Sequence, residues 1–174
     1  MQTAFLLSMS VFTLMATDYL SIESAQRRLF GDKADYIFTK TPADKRLVKA
    51  VKKQAGVTLR PDRIRIWQAI EEGRQLGWVY EDQVIGKHEF ITYAVGVDMN
   101  GRVVDVVILS YRETHGGEIM RPTWLAQFRG KTAEQPFKMG VDIEAISGAT
   151  LSVRNVCDGV KKLLILNELA LLHE

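Results

Sequence analysis

Ile146-Ser147-Gly148-Ala149-Thr150-Leu151-Ser152 sets small residues between hydroxyls just ahead of an amphipathic run. Glycine loses backbone entropy in regular structure and hydroxyls compete for backbone hydrogen bonds, so the string suits a loop entering a helix rather than a helix interior or a strand. At a helix entrance the unpaired N–H groups and the positive end of the dipole favour an anion, phosphate above all. Thr150 and Ser152 stand where a phosphate on or near a hydroxyl would be held. The bland reading of the same residues is a capped helix.

A second stretch with chemical content is Glu113-Thr114-His115-Gly116-Gly117-Glu118-Ile119, directly after a strand-like run. Paired glycines there allow positive φ and close backbone approach, so a flat or phosphorylated ligand could lie against the chain. Taken alone, the pair reads first as an ordinary turn, glycine being the usual punctuation between elements.

Composition excludes several other chemistries. The chain has 174 residues, 47% of them hydrophobic, which suits one domain with a real core. Its 23 Lys and Arg against 21 Asp and Glu leave a net charge of +2, too small for a nucleic-acid footprint, so no nucleic acid is expected as partner. Cys157 is the only cysteine, which rules out an internal disulfide, a CxxC pair and a cysteine-rich zinc site; no metal site is expected. With no accompanying base motif, Cys157 is expected to be a small buried hydrophobe. Redox chemistry would therefore need a borrowed cofactor.

These residues must be positioned by the elements around them. Residues 4–16 form an apolar run of signal-peptide length, shorter than the roughly 20 residues of a membrane span. Residues 1–16 are thus expected to be a signal peptide, although no Lys or Arg precedes Arg27. Residues 17–60 are expected as a helical N-terminal extension. It holds one helix from Ser21 to Phe30 closed by Gly31, and a second capped by Thr41 with Pro42 in its first turn and Gly56 past its end. The KRLVKAVKK face of the second is expected to meet water.

From residue 61 the period becomes that of strands. Residues 64–70 and 76–86 are separated by the turn-like EEGRQ, and 89–97 and 102–111 by a segment ending in Asn100-Gly101, the strongest short hairpin signal. At least four antiparallel strands are implied, with Trp67, Trp78 and Tyr93 as core or sheet-face aromatics. Thr123 is expected to cap a short helix ended by Gly130. In the last helix Val153, Val156, Cys157, Val160, Leu163, Leu164 and Leu169 recur at three- and four-residue steps, so one face should lie on the sheet. The fold class expected is α+β, an antiparallel sheet packed against helices, with residues 61–174 as the functional domain.

In this order of strand, loop and helix, the Ser147–Ser152 string resembles the flavinylation motif of FMN-binding domains, the kind found in the G and C subunits of bacterial ion-pumping electron-transport complexes. The Glu113–Ile119 stretch is similar to that family's second flavin loop, usually Glu-Thr-Pro-Gly. The resemblance spans about residues 85–172. Glu144 stands where the family usually has Asp, with Asp142 two places earlier, and His115 stands where it has proline.

The resemblance implies FMN as cofactor, joined by a phosphoester to Thr150 and installed from FAD by a Mg²⁺-dependent flavin transferase. It further implies contacts from Glu144, Ser147, Gly148, Ala149, Leu151 and Ser152 on one loop and from Glu113, Thr114, His115, Gly116 and Gly117 on the other. The expected function is a periplasmic or extracytoplasmic electron carrier, membrane-associated through its redox partner proteins, with no catalytic residue of its own. An FMN-dependent reductase using His115 or Glu113 as proton donor, and a non-redox sensory or partner-binding domain, are the alternatives.

Overall fold

The computed structural model describes residues 20–171, so the expected signal peptide at 1–16 lies outside the described residues. The chain runs α1 (Ile22–Phe30), β1 (Asp35–Thr39), α2 (Lys45–Ala55), β2 (Arg65–Glu71), β3 (Arg74–Ile85), β4 (Phe90–Asp98), β5 (Val103–Ser110), α3 (Pro122–Leu125) and α4 (Thr150–Ala170). The strands form one antiparallel sheet in the order β1-β2-β3-β4-β5. Strand order equals chain order because each connection is short enough to pair a strand with its predecessor.

Local chemistry explains most boundaries. The β2–β3 turn places Glu72 at φ 51° and Gly73 at φ 77°, the paired positive values of a turn that follows the strands' right-handed twist. Between β4 and β5 the Asp98 carboxylate accepts the N–H groups of Asn100 at 2.8 Å and Arg102 at 2.9 Å. Ser21 caps α1 by accepting the Ser24 N–H, and Gly31 ends it.

Three expectations are corrected. The cap of α2 is Asp44, whose Oδ1 accepts from Arg46 and Leu47; the Thr41 hydroxyl is already committed to the Ile64 carbonyl at 2.7 Å. The short helix after β5 begins at Pro122 with no side-chain cap, so Thr123 lies inside it. Residues 35–39, assigned to no element from sequence, are the edge strand β1, too short for its alternation to register. The Tyr36 hydroxyl ties that strand to α1, donating to the carbonyls of Gln26 at 2.7 Å and Gly31 at 2.8 Å.

The sheet is covered on both faces. Ala25 and Leu29 of α1 pack on Val79, Ala94 and Val107 on one side. On the other, α4 buries Val153, Val156, Cys157, Val160, Leu163 and Leu164 against Tyr80, Tyr93, Val95 and Ile108, with Val51 of α2 in the same core. Leu169, expected on this face, is exposed: α4 turns it away from the sheet while Ile165 and Leu166 are buried. Cys157 is the expected buried thiol, and desolvation pushes it up to about 12. The lysines of α2 are exposed, as its charge pattern implies.

Two polar ties cross this core. The Lys162 ammonium lies 2.6 Å from Asp82 Oδ2 with both side chains at most 8% exposed, and the Tyr93 hydroxyl donates to the same oxygen at 2.8 Å. The Tyr80 hydroxyl donates to Asn167 Oδ1 at 2.6 Å. Such groups are tolerated in an apolar layer only when paired, so they admit one register of α4 on the sheet. Among the described residues, no helix is long and apolar enough to cross a membrane.

Lys162→Met is expected to cost about 3–5 kcal/mol by leaving the Asp82 carboxylate buried without its cation. The paired change Lys162→Met with Asp82→Leu should cost less than the sum of the single changes. Urea unfolding of the three variants measures both, and additive losses would show that the two groups do not act as a pair.

Candidate functional site

In a meander, the β3–β4 turn and the exit of β5 lie at the same end of the sheet. The entrance of α4 is brought to that end as well, because Asn155 Nδ2 donates to the carbonyl of Ile85, the last residue of β3, at 2.7 Å. Three loops far apart in sequence therefore converge: 86–89, 111–117 and 146–152.

The loops after β5 and before α4 are in direct contact. Gly116 has φ 81°, and a Cβ placed on it would stand 2.2 Å from Ala149 Cβ and 2.9 Å from the Tyr111 hydroxyl. A side chain there would separate the two loops. Tyr111 braces the contact from beneath, donating to the His115 carbonyl at 2.5 Å and hydrogen-bonded to the Ser152 side chain. Desolvation raises the Tyr111 pKa, and the bond with Ser152 opposes that rise.

Between the loops lies an open cavity of about 340 Å³. This is at the small end of the range for ligand sites. It is lined by Gly148, Ala149, Thr150, Leu151 and Ser152 from the loop before α4, by Glu113, Thr114 and His115 from the loop after β5, and by Lys87 and His88 from the β3–β4 turn. Thr150 is the first residue of α4, and no side chain caps the helix. The N–H groups of this first turn have no partners within the helix, and the dipole adds positive potential where Thr150 is exposed.

The expected residues separate into three groups. Gly148, Ala149, Thr150, Leu151, Ser152, Glu113, Thr114 and His115 share the cavity, although Ser152 is buried beneath Thr150 rather than presented at the surface. Gly116 is the contact point beneath Ala149, and Gly117 opens a short 3-10 turn to Met120. Glu144 and Ser147 line a separate cavity of about 260 Å³ with Glu118 and Trp124. The Glu144 backbone is fixed there, its N–H donating to Gln127 Oε1 at 2.7 Å and its carbonyl accepting the Trp124 indole at 3.0 Å.

Asp142 is structural. Its carboxylate accepts from the N–H of Lys138 at 2.6 Å, the N–H of Phe137 at 3.2 Å and the Lys131 ammonium at 3.0 Å. Desolvation opposes its ionisation, but these donors outweigh that and hold the carboxyl below its ordinary value. Lys87 and His88 were missed from sequence. The available signal was topological: a lysine and a histidine on a hairpin turn at the sheet end shared with the other loops.

Residues 86–165 match the family model described as an FMN-binding domain. Among solved structures the chain is similar to NqrC of Shewanella oneidensis, with a TM-score of 0.55 at 19% identity over 84% of this chain and 88% of that one. No curated protein matches the sequence. The five-stranded sheet with its flanking helices is thus an α+β fold seen in a solved protein.

Gly116→Ala is expected to destabilise the protein by about 1–3 kcal/mol, the range for overpacking and strained backbone. Thermal and urea unfolding measure it, and an unchanged stability would show that the two loops do not press together here. Asp142→Asn is expected to cost about 1–3 kcal/mol at neutral pH through weakened charge-assisted bonds. Because the folded-state pKa is lowered, this contribution is present above the unfolded value and lost as pH falls through the folded one. The stability difference between parent and variant should therefore shrink on acidification; a difference constant with pH would contradict this account.

Proposed function

We propose, from the premise that residues 86–165 are an FMN-binding domain and that FMN is its cofactor, that this chain is an electron carrier whose FMN is tethered to Thr150. The observation that carries the reading is the exposed Thr150 hydroxyl at the uncapped start of α4, on the wall of a cavity built by two flavin-like loops. The residues suit the cofactor's parts. First-turn N–H groups and the helix dipole accept a phosphate, Gly148 at φ 75° adds no side chain above it, and Leu151 offers an apolar surface at the mouth. When bound, FMN supplies reversible uptake and release of electrons, with its ring chemically untouched by a linkage through the phosphate.

A threonine hydroxyl is too weak a nucleophile to react unaided, so attachment calls for a modifying enzyme. The resemblance supplies one, a Mg²⁺-dependent flavin transferase using FAD. The bond formed joins Thr150 Oγ1 to the FMN phosphorus; the pyrophosphate bond of FAD breaks, AMP leaves and the hydroxyl proton is lost. Ser152 is a poor competitor, being 2% exposed and bonded to Tyr111. The setting proposed is extracytoplasmic, with residues 1–16 as leader. A tethered cofactor is not lost by dilution there, and the carrier passes electrons between redox proteins, some membrane-bound.

The test is the intact mass of protein expressed with and without a flavin transferase. A transferase-dependent gain of one FMN minus water is expected, absent in Thr150→Ala at unchanged melting temperature. Addition retained in Thr150→Ala would move the linkage elsewhere, and no addition to the parent would end the tethered reading. Bound flavin that cannot be reduced and reoxidised would end the carrier reading.

A further inference from the structure

The turn joining β3 to β4, Gly86-Lys87-His88-Glu89, is held by a side chain from another loop. Glu113 Oε1 accepts the His88 N–H at 2.7 Å and the Glu89 N–H at 3.1 Å, and the Lys87 amide bonds the same carboxylate. The turn is closed on itself by the Gly86 N–H, which donates to the Glu89 carbonyl at 2.7 Å. A Cβ at Gly86 would stand 2.3 Å from Glu113 Oε1, so glycine leaves the room through which the carboxylate enters. Desolvation pushes the Glu113 pKa up, but the amides of His88, Glu89 and Lys87 outweigh it and hold the carboxyl below its ordinary value.

This use of Glu113 differs from the proton-donor role its motif suggested, while the residue still lines the cavity. Its Oε1 is committed to amides of a neighbouring turn, and a carboxyl stabilised in its ionised form is a poor proton donor. What the carboxylate does is fix the segment that brings Lys87 and His88 to the cavity that Thr150 and Leu151 also line. An ammonium is a compact cation with three donors, suited to a phosphate as a point charge.

We infer that Glu113 is a positioning residue that latches the Gly86–Glu89 turn, and that the latched turn presents the Lys87 ammonium, with the His88 ring beside it as a hydrogen-bonding group, as a wall selecting a phosphate-bearing flavin over a neutral one. The inference rests on the FMN reading given above. It carries a sign that separates it from a simple electrostatic role. Were Glu113 merely a negative charge beside an anionic ligand, removing it would tighten binding; as a latch, its removal weakens binding because the wall that carries Lys87 is released.

The experiment uses the full chain made without transferase, titrated with FMN and with riboflavin, its phosphate-free counterpart, by quenching of flavin fluorescence. Lys87→Gln is expected to weaken FMN about tenfold, the scale of one charge-assisted hydrogen bond, and to leave riboflavin unchanged. Glu113→Ala should weaken FMN by a similar factor despite removing a negative charge. Glu113→Gln keeps an acceptor oxygen for the turn and should retain most of the affinity.

Amide hydrogen exchange supplies a readout independent of flavin: His88 and Glu89 should lose protection in Glu113→Ala and keep much of it in Glu113→Gln. Tighter FMN binding in Glu113→Ala, unchanged FMN binding in Lys87→Gln, or unchanged protection of the two amides would overturn the inference while leaving the FMN reading intact. Failure of the parent chain to bind either flavin without transferase would overturn the inference, whereas the tethered reading falls only if the parent gains no mass with transferase.

Discussion

Everything at the cavity depends on where α4 begins, and that is decided by how α4 is bound along its length. Val153, Val156, Val160, Leu163 and Leu164 supply the adhesion, at roughly 1.5–3 kcal/mol for each large apolar side chain fully buried. Apolar contact alone tolerates sliding and repacking. The Lys162–Asp82 pair does not, because a shift by one residue would leave a charge unpaired in an apolar layer. With the helix so registered, Asn155 meets the end of β3 and the Thr150 end emerges beside the loops at the edge of the sheet.

Two carboxylates shape backbone. Glu113 gathers the amides of the β3–β4 turn and Asp142 those of Phe137 and Lys138, each held ionised by the N–H groups around it. The Glu113 charge at the cavity is thereby engaged by a loop, while the uncapped start of α4 and Lys87 leave the cavity itself favourable to an anion. Two cavities flank the Ser147–Thr150 segment, and the motif divides between them. Gly148 and Thr150 belong to one; Ser147 and Glu144 belong to the other. A contiguous motif in sequence is thus two surfaces in space.

Periodicity made the long elements legible. The alternating runs from Arg65 to Ser110 became β2 to β5, and the apolar face of residues 153–164 became the buried face of α4. Short elements escaped, as β1 shows, since five residues at a sheet edge carry almost no pattern. Caps were misjudged where two hydroxyl or carboxyl residues competed: Thr41 and Asp44 are both able to cap α2, and the choice fell to the partner each finds in the folded chain.

By itself the sequence determined the class of fold, through local periodicity, and two loops that resemble those of FMN-binding domains, Thr150 lying in one of them, because such motifs are strings of adjacent residues. Tertiary structure decided which of those residues share a cavity. It buried Ser152 under Thr150, set Ala149 on Gly116 and sent Glu144 and Ser147 to the far side of the loop. It also brought Lys87 and His88 to the site from a hairpin that carries no motif. The reason is physical: an antiparallel meander makes neighbours of chain segments whose separation in sequence is set by strand length, and local spacing holds no record of that.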